Sequence, residues 1–229
     1  MRALLLAAGF GTRLRPLTDS VPKCLVPIKG EPLLGIWIDR LSAAGVRAFL
    51  VNTHYLPDQV RAFIASRPDR HAILQAHEEV LLNTAGTLRA NLGFFQGEDG
   101  MLIHADNYCL ADFKAFQQAH RERPAHCLMT MMTFRTETPQ SCGIVELDEE
   151  GVVQAFHEKK ANPPGNLANG AVYLLSAELL AMMEKEFAQA TDFSNEVLPH
   201  LVGRIATYET PEFFLDIGTP QAYERANRS

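Results

Sequence analysis

The sequence predicts an α/β protein built on a doubly wound, mixed and mainly parallel sheet. In the first half of the chain, apolar runs with the length of buried strands alternate with helical patterns, which is typical of parallel strands joined by helices. From Cys127 to Leu175, short strand patterns follow one another, separated by turn sequences such as 148–151 and 162–165. The second half is therefore expected to add further strands to the same fold.

Each element can be placed in chain order from these patterns. The predicted strands cover residues 4–8, 46–52, 72–75, 101–104, 127–134, 143–147, 152–157, 171–175 and 212–215. The predicted helices cover residues 33–44, 59–66, 84–95, 177–187 and 195–202, and one more follows the last strand. A chain of 229 residues without repeat or linker fits one domain, so we predict a single domain over residues 1–229.

Composition narrows the class of protein. The formal net charge of −6 argues against a general binder of nucleic acid or of anionic membranes. The first residues lack the apolar core and cleavage site of a signal peptide, and no apolar run approaches a membrane span. The four cysteines match neither a metal motif nor a disulfide framework. We therefore expect a cytoplasmic protein with reduced thiols and with neither nucleic acid nor membrane as a partner.

The most informative segment runs from Leu4 to Pro27. A buried strand here ends in a glycine loop, and at strand ends of this kind ligands bind in open α/β sheets. Glycines let backbone N–H groups approach phosphate oxygens, while Arg and Lys side chains pair with phosphate charge. The segment therefore predicts a site for a nucleoside triphosphate, formed by Leu6, Ala7, Ala8, Gly9, Gly11, Thr12, Arg13 and Lys23.

Two better-known glycine loops do not fit this segment. A dinucleotide-binding loop needs a third glycine three residues after the second, where this chain has Leu14. A Walker loop needs four residues between its glycines and then Gly-Lys-Ser/Thr, which the chain lacks. A third alternative stays open, in which the glycines serve only the turn and the cations are solvated.

The segment AAGFGTRLRPLT followed by PKCLVP resembles the signature of the sugar-1-phosphate nucleotidylyltransferases. The resemblance continues through LLNTAGTL, HADN, CGIVELDEEG, FHEK, NGAVYLL and LDIGTP. It is strongest to the short, stand-alone type, such as the mannose- and heptose-1-phosphate guanylyltransferases and the N-acetylmuramate-1-phosphate uridylyltransferases. It implies a Rossmann-like fold with a nucleotide-binding half at about residues 1–125 and a sugar-binding half at about 126–229.

The implied reaction joins a sugar-1-phosphate to a nucleoside triphosphate (NTP), with release of pyrophosphate. The sugar phosphate is already anionic, so catalysis consists of holding two polyanions in line and stabilising charge on the α-phosphoryl group. We expect Arg13 and Lys23 to contact the phosphates from opposite sides, and we count both, with Asp106, as catalytic residues. For Arg15, a solvated or sheet-edge role is equally open.

Two aspartates at predicted strand ends suggest a metal site. Asp106 follows the strand at 101–104, and Asp216 follows the last strand. Two carboxylates with phosphate oxygens suit Mg²⁺, and the family resemblance implies the same role for both residues. Helix capping is the alternative for each aspartate. The family usually has Gly before the aspartate that matches Asp106, where this chain has Ala105. A zinc site formed by His104, Asp106 and Cys109 is a less favoured alternative.

The resemblance also implies residues for the sugar phosphate. The Glu-Lys pair of FHEK places Glu158 on sugar hydroxyls and Lys159 on the sugar phosphate. Three further positions match the sugar pocket, where Gly permits close approach and Asn both donates and accepts: Asn107, Gly143 and the pair Asn169 and Gly170. For Gly143, a turn or strand role without ligand contact is the alternative.

The base is expected to contact Glu78 and the segment Asn83, Thr84, Ala85 and Gly86. Guanylyl relatives often carry Glu at the position of Glu78, whereas thymidylyl and uridylyl relatives often carry Gln. A carboxylate can accept hydrogen bonds from both N1–H and N2–H of guanine, which favours GTP. Some uridylyl relatives also carry Glu here, and Glu79 is treated as an equally exposed candidate.

The sequence thus predicts an enzyme that uses GTP, a mannose- or heptose-type 1-phosphate and Mg²⁺, acting as a monomer or small homo-oligomer. Two alternatives stay open. One is a uridylyl- or thymidylyltransferase acting on another sugar-1-phosphate, such as an N-acetylmuramate or glucose type. The other is a catalytically silent protein that binds a nucleotide sugar as a regulator, although intact Arg13, Lys23, Asp106 and Asp216 argue against it.

Overall fold

The computed structural model describes residues 1–229. Its strands are β1 (Arg2–Leu6), β2 (Pro27–Ile28), β3 (Glu31–Pro32), β4 (Ala48–Thr53), β5 (Ile73–His77), β6 (Gly100–His104), β7 (Asn107–Cys109), β8 (Met129–Arg135), β9 (Gly143–Leu147), β10 (Val153–Glu158), β11 (Leu167–Leu175), β12 (Ile205–Glu209) and β13 (Phe214–Asp216). Its α-helices are α1 (Leu33–Ala43), α2 (Pro57–Ser66), α3 (Asn83–Ala90), α4 (Phe113–Glu122), α5 (Ala177–Lys185) and α6 (Pro220–Arg228).

The chain forms two compact units, each assembled from separate segments. The first unit contains Met1–Leu81, Ile103–Phe113 and Glu212–Ser229, and the second contains Leu82–Leu102 and Lys114–Pro211. The assignment of one half to the nucleotide and the other to the sugar stays a prediction. None of the helices has the length and apolar character needed to cross a bilayer. All four cysteines are free thiols, as predicted.

The first unit is organised around parallel strands. β4 pairs with β1 on one side and with β5 on the other, both in parallel. The end of β6 adjoins β1, where the Ala105 N–H donates to the Leu6 carbonyl (3.1 Å). Three successive residues of β1, Ala3–Leu5, are fully buried, which explains why this strand reads as a continuous apolar run. The carboxyl ends of these parallel strands carry most of the predicted phosphate residues.

The strand β1 ends two residues earlier than predicted. The Ala7 N–H donates to the Asn52 side-chain Oδ1 at 2.7 Å. At the start of the glycine loop, the Asn52 side chain thus takes the place of a neighbouring strand as the acceptor for the Ala7 N–H. Ala7 and Ala8 remain buried, while Gly9 and Phe10 are exposed.

The last segment of the chain completes the first unit. Thr219 caps α6 by accepting from the Ala222 N–H (3.2 Å), and Pro220 occupies the first helical turn, where no N–H partner is lost. From this helix the Tyr223 hydroxyl donates to the Pro27 carbonyl (2.7 Å). Next to it, β13 pairs antiparallel with β7, with Asp216 opposite Asn107.

The second unit is largely antiparallel. Its strands lie in the order β10, β9, β11, β8, β12, and only the pairing of β8 with β12 is parallel. The register of β11 against β8 shifts between Asn169 and Tyr173. The helix α5 begins after Ser176, whose hydroxyl accepts from the Leu179 N–H (3.1 Å) as an N-cap. Together, the two units confirm the predicted mixed, mainly parallel α/β class.

Most predicted elements are present, and two of the differences have physical causes. The helix α4 was not predicted because its buried stripe is Phe113, Phe116 and His120, with a histidine where periodicity requires an apolar residue. The predicted helix at 195–202 is a π turn followed by a 3₁₀ turn, because Pro199 has no N–H to continue an α-helix. The strand β12 was also missed.

Candidate functional site

The glycine loop after β1 is held by its own side chains. Gly11 adopts φ 64°, a left-handed conformation that favours glycine, and it precedes a 3₁₀ turn at Thr12–Leu14. A Cβ at Gly11 would lie 2.9 Å from Thr18 Cγ2 and 3.0 Å from Lys23 Cβ. The Thr18 hydroxyl donates to the Gly11 carbonyl at 2.8 Å. The loop therefore needs glycine at position 11 for both conformation and space, and it packs directly against Lys23.

Lys23 joins the two aspartates that were predicted as metal ligands. Its Nζ donates to Asp106 Oδ2 at 2.9 Å and to Asp216 Oδ1 at 3.5 Å. The Lys23 side chain is only 7% exposed, whereas the side chains of Asp106 and Asp216 are about half exposed (43% and 50%). The predicted phosphate contact of Lys23 remains a prediction, but in this structure its partners are the two carboxylates.

The short β7–β13 pair explains how these aspartates meet. Asp106 immediately precedes β7, and Asp216 is the last residue of β13, opposite Asn107. The carbonyl of Asn107 accepts from Trp37 Nε1 at 2.8 Å, which ties β7 to α1. The buried Asn107, predicted as a sugar-phosphate residue, thus lies beside the aspartate pair in the first unit.

Arg13 approaches the same cluster from the glycine loop. Its NH2 lies 3.6 Å from Asp216 Oδ2, and its side chain is 66% exposed. A Cβ at Gly218 would lie 2.7 Å from the Arg13 NH2 and 2.8 Å from its Cζ. Gly218 therefore makes room for the Arg13 guanidinium, a role that the sequence analysis did not assign. Arg15 instead pairs with Asp19 at 3.1 Å, with both side chains exposed.

The charges of this cluster affect its titration. Partial burial raises the pKa of Asp106, whose side chain is 43% exposed, but the Lys23 ammonium and the nearby His104 together outweigh this effect, and the net pKa lies below the usual range. Burial raises the pKa of the neighbouring Cys24 thiol to about 12, so this thiol stays protonated. Asp106 is therefore a carboxylate at neutral pH, as a cation ligand requires.

The zinc alternative receives no support from the geometry. No group of three or more His, Cys, Asp or Glu side chains is arranged to hold a metal ion. Cys109 is 2% exposed, and burial raises the pKa of its thiol to about 12, which opposes the thiolate form that zinc requires.

Glu78 is buried, which corrects the expectation that it is as exposed as Glu79. Its exposure is 6%, whereas Glu79 is exposed. Asn52 Nδ2 donates to Glu78 Oε1 at 3.0 Å. Asn52 is 3% exposed and was missed by sequence analysis, because an asparagine at the end of a strand reads as the start of a turn.

The backbone of Glu78 is also fixed by β4 and the residue that follows it. The Glu78 N–H donates to the Thr53 carbonyl at 2.8 Å. His54 Nδ1 lies 2.8 Å from the Glu78 carbonyl, and because a carbonyl only accepts, that nitrogen carries the proton. The ring of His54 in turn contacts Phe10 edge-on, with centroids 5.3 Å apart. An exposed aromatic residue of the glycine loop therefore packs on the histidine that holds Glu78.

In the second unit, Gly143 and Glu158 lie opposite each other in the β9–β10 pair. A Cβ at Gly143 would lie 2.6 Å from Glu158 Oε2 and 2.7 Å from Phe156 Cζ. Glycine is therefore needed for the Glu158 carboxylate to lie over β9. Lys159 Nζ lies 3.3 Å from Glu158 Oε1, with the Lys159 side chain 66% exposed. The predicted sugar-phosphate residues of FHEK and Gly143 are thus brought together.

Asn169 shapes the irregular part of β11. Its Nδ2 donates to the Tyr173 hydroxyl at 2.7 Å, and its Oδ1 accepts from the Ala171 N–H at 2.8 Å. Ala171 has φ 53°, and Gly170 lies in the same register shift. In this structure both ends of the Asn169 amide are therefore engaged within the unit, and its predicted sugar contact stays a prediction.

The segment predicted to bind the base forms the start of α3. Asn83 has φ 59°. The Thr84 hydroxyl accepts from the Phe193 N–H at 2.7 Å, and the N–H groups of Ala85 and Gly86 donate to the Thr191 carbonyl at 2.8 and 3.3 Å. The first turn of α3 therefore holds residues 191–193 of the same unit.

A separate cavity of about 640 Å³ lies in the second unit. It is lined by Met182, Lys185, Glu186, Phe187, Ala188, Gln189, Ala190, Glu196, His200 and Arg204. None of the predicted site residues is among them.

Comparison with known proteins agrees with the resemblance. The chain is 31% identical to a mannose-1-phosphate guanylyltransferase of Mycobacterium tuberculosis over 233 residues, covering 98% of this chain and 63% of that protein. It is 32% identical to a probable mannose-1-phosphate guanylyltransferase 2 of Arabidopsis thaliana, covering 97% of this chain and 63% of that protein. The chain thus spans about three-fifths of the length of these curated relatives.

A solved structure supports the fold. HddC from Yersinia pseudotuberculosis, complexed with GMP-PN, superposes with a TM-score of 0.82 at 24% identity, covering 99% of this chain and 98% of that chain. The family model described as nucleotidyl transferase matches residues 2–229. The chain therefore belongs to the nucleotidyl transferase family.

Proposed function

We propose that the protein transfers the nucleotidyl group of an NTP to a sugar-1-phosphate, giving a nucleotide sugar and pyrophosphate. The observation that carries the proposal is the cluster at the end of the glycine loop, where Lys23 contacts both Asp106 and Asp216 and Arg13 contacts Asp216. Two cations and two carboxylates beside a glycine loop match the charges of a triphosphate with its counter-ion. Membership of the nucleotidyl transferase family supports the same reaction class.

The chemistry needs no nucleophile from the protein. An oxygen of the sugar-1-phosphate attacks the α-phosphorus of the NTP, the bond from that phosphorus to the bridging oxygen breaks, and pyrophosphate leaves. The part of this chain is to align the two anions and to stabilise charge on the α-phosphoryl oxygens. Arg13 is suited to this task because its guanidinium is exposed beside the loop and can pair with two oxygens at once.

Asp106 and Asp216 fit a hard divalent cation, because their carboxylates already converge on one cationic atom, Lys23 Nζ. Such a cation, which we propose to be Mg²⁺, would neutralise charge on the phosphate oxygens. The role of Lys23 is then to keep the two carboxylates together before substrate and cation arrive.

We further propose GTP and mannose-1-phosphate as the substrates. The curated relatives named as mannose-1-phosphate guanylyltransferases support this choice. The carboxylate of Glu78, one oxygen of which accepts from Asn52, supports guanine because a carboxylate can accept from the two donors on the guanine edge. In the second unit, Glu158 and Lys159 offer a carboxylate for sugar hydroxyls and an ammonium for the sugar phosphate.

The test is pyrophosphate release by the purified protein with Mg²⁺ and mannose-1-phosphate, measured with GTP, UTP, dTTP, CTP and ATP in separate reactions. We expect release with GTP and a loss of about 100-fold or more in Asp106→Asn, since that change removes one of the two carboxylates that would hold the cation opposite the developing negative charge. Asp58→Asn is the matched control, because Asp58 is 85% exposed and pairs with Arg61 at the surface. No pyrophosphate release with any NTP would refute mannose-1-phosphate as the substrate, and the same result with a panel of other hexose and heptose 1-phosphates would refute the proposed reaction. Release with UTP alone would refute the choice of guanine.

A further inference from the structure

The carboxylate of Glu78 is held by a residue that also holds the phosphate loop. Asn52 donates through Nδ2 to Glu78 Oε1 (3.0 Å) and accepts through Oδ1 from the Ala7 N–H (2.7 Å). Ala7 is the residue at which β1 gives way to the glycine loop. One side chain, 3% exposed, therefore connects the loop with the proposed base-reading residue.

The polarity of this connection is determined by the backbone. The Ala7 N–H can only donate, so the amide oxygen of Asn52 must face it and the amide nitrogen must face Glu78. An asparagine in the opposite orientation would place its NH₂ against the Ala7 N–H and its oxygen against the Glu78 carboxylate, leaving buried groups unsatisfied. Asn52 is therefore a donor toward position 78, whichever residue stands there.

Two hydrogen bonds fix the backbone of Glu78 next to its donor, Asn52 Nδ2. Its N–H bonds to the Thr53 carbonyl and its carbonyl accepts from His54 Nδ1, each at 2.8 Å. Three consecutive residues, Asn52, Thr53 and His54, thus hold the side chain, the N–H and the carbonyl of one glutamate. The position at which the carboxylate is presented is set by β4 and the residue after it.

We propose that Asn52 is a positioning residue that determines base selectivity by setting which hydrogen-bonding group residue 78 presents to the base. With Glu78, a carboxylate presents acceptors, which match the N1–H and N2–H donors of guanine. With glutamine at position 78, the side-chain carbonyl would turn to the Asn52 donor and the NH₂ would face the base, where it matches a carbonyl of uracil or thymine and opposes guanine. This inference rests on the proposed function of the same site.

The test is a four-member cycle of wild type, Glu78→Gln, Asn52→Asp and the double variant. An aspartate at position 52 still accepts from Ala7 but offers an acceptor toward position 78. In the double variant the introduced glutamine would therefore turn its NH₂ to the introduced aspartate and its carbonyl to the base. The measurement is the ratio of kcat/KM for GTP over UTP, together with the shift in melting temperature that each nucleotide causes without sugar. Glu149→Gln is the matched control, because Glu149 is exposed in the second unit and has no predicted role at the site.

We expect Glu78→Gln to lower the GTP:UTP ratio by roughly tenfold or more, the value of one charge-assisted hydrogen bond. The double variant should recover most of that loss, and Glu149→Gln should match wild type. Comparing Asn52→Asp with the double variant tests the same coupling between positions 52 and 78. The test therefore still works if one of the two single variants fails to fold. Equal ratios in Glu78→Gln and the double variant would overturn the proposal, as would a wild type that binds GTP and UTP equally. If the protein releases no pyrophosphate with any sugar-1-phosphate but GTP still shifts its melting temperature more than UTP does, the proposed reaction is refuted and the inference about Asn52 is not.

Discussion

Lys23 Nζ lies 2.9 Å from Asp106 Oδ2, although 83 residues separate the two along the chain. The same nitrogen lies 3.5 Å from Asp216, which is 193 residues away. A nearly buried ammonium thus supplies the positive charge that keeps two partly exposed carboxylates together. This relationship makes the effect of a divalent cation on stability a direct test of the pair.

Lys23→Ala should make the protein more responsive to divalent cations than wild type. Without the ammonium, the two carboxylates repel each other, and Mg²⁺ or Mn²⁺ should replace the lost charge and stabilise the folded state by mass action. For a chain of this size each 1 kcal/mol corresponds to about 2–4 °C in melting temperature. We therefore expect the cation to raise the melting temperature of Lys23→Ala by at least about 2–4 °C more than it raises that of wild type, measured by thermal unfolding.

The control for this prediction is Lys160→Ala, because Lys160 is exposed in the second unit and should leave the response unchanged. Adding Asp216→Asn to Lys23→Ala should abolish the extra shift. An equal response in wild type and Lys23→Ala would show that the carboxylates do not form a joint cation site.

Gly218→Ala should reduce activity in the same way as Arg13→Ala. The new methyl group would lie 2.7 Å from the Arg13 NH2, and the flexible end of Arg13 would move away from Asp216 at little cost in stability. We expect kcat to fall roughly 100-fold in both variants if Arg13 stabilises the developing charge, with the melting temperature nearly constant. The double variant should be no worse than Arg13→Ala alone, and additive losses would contradict this mechanism.

Gly143→Ala should weaken sugar-phosphate binding. Its Cβ would lie 2.6 Å from Glu158 Oε2 and 2.7 Å from Phe156 Cζ, so the carboxylate must move and the strand pair becomes overpacked. We expect a higher KM for the sugar phosphate, little change in the KM for the nucleotide, and a destabilisation of about 1–3 kcal/mol. Gly165→Ala is the matched control, since nothing lies within 4 Å of a Cβ there. A raised nucleotide KM alone would remove Gly143 from the sugar side.

His120 should make stability fall as pH is lowered from about 6.5 toward 4. The pKa of His120 is lowered from 6.5 to about 4, mainly by burial and also by the Arg123 cation, against the opposing effect of Asp99. The unfolded chain therefore binds a proton in this window that the folded protein does not, so unfolding becomes easier as pH falls. One such group contributes up to about 1.4 kcal/mol per pH unit.

The measurement for His120 is the free energy of unfolding by urea at several pH values. His120→Gln can keep a hydrogen bond to the Thr130 hydroxyl, which His120 Nδ1 contacts at 2.8 Å, and it should flatten the dependence between pH 6.5 and 4. The exposed His71 provides the control, as His71→Gln should leave the slope unchanged. A slope that persists in His120→Gln would assign the effect to other groups.

The sequence predicted those parts of the structure whose conformation depends on residues close together in the chain. The strand β1 was predicted because residues buried on both faces give an unbroken apolar run. Gly11 was predicted to lie in a tight loop after that strand, and its left-handed conformation is one that favours glycine. The partners of Lys23 were not predicted, because they depend on the pairing of β13 with β7, and β7 is a three-residue strand too short to leave a pattern.

The two residues missed at the site illustrate a second limit. Gly218 is needed only because the Arg13 guanidinium occupies the space of its Cβ, and that contact joins positions about 200 residues apart. Asn52 follows a buried run and reads as the end of a strand, although its amide has two specific partners. Side chains that act through distant partners carry no periodic signal, and only the folded arrangement identifies them.

The discontinuous first unit has a consequence for biosynthesis. A ribosome completes Met1–Leu81 early, but the strand that carries Asp216 and the helix whose Tyr223 hydroxyl bonds to Pro27 belong to Glu212–Ser229. The nascent chain must therefore carry an unfinished glycine-loop unit until residues 212–229 have been translated. A chain cut before that last segment would lack both a proposed cation ligand and part of the packing of its own N-terminal region. Folding of this unit and acquisition of its complete charged cluster thus both wait for residues 212–229.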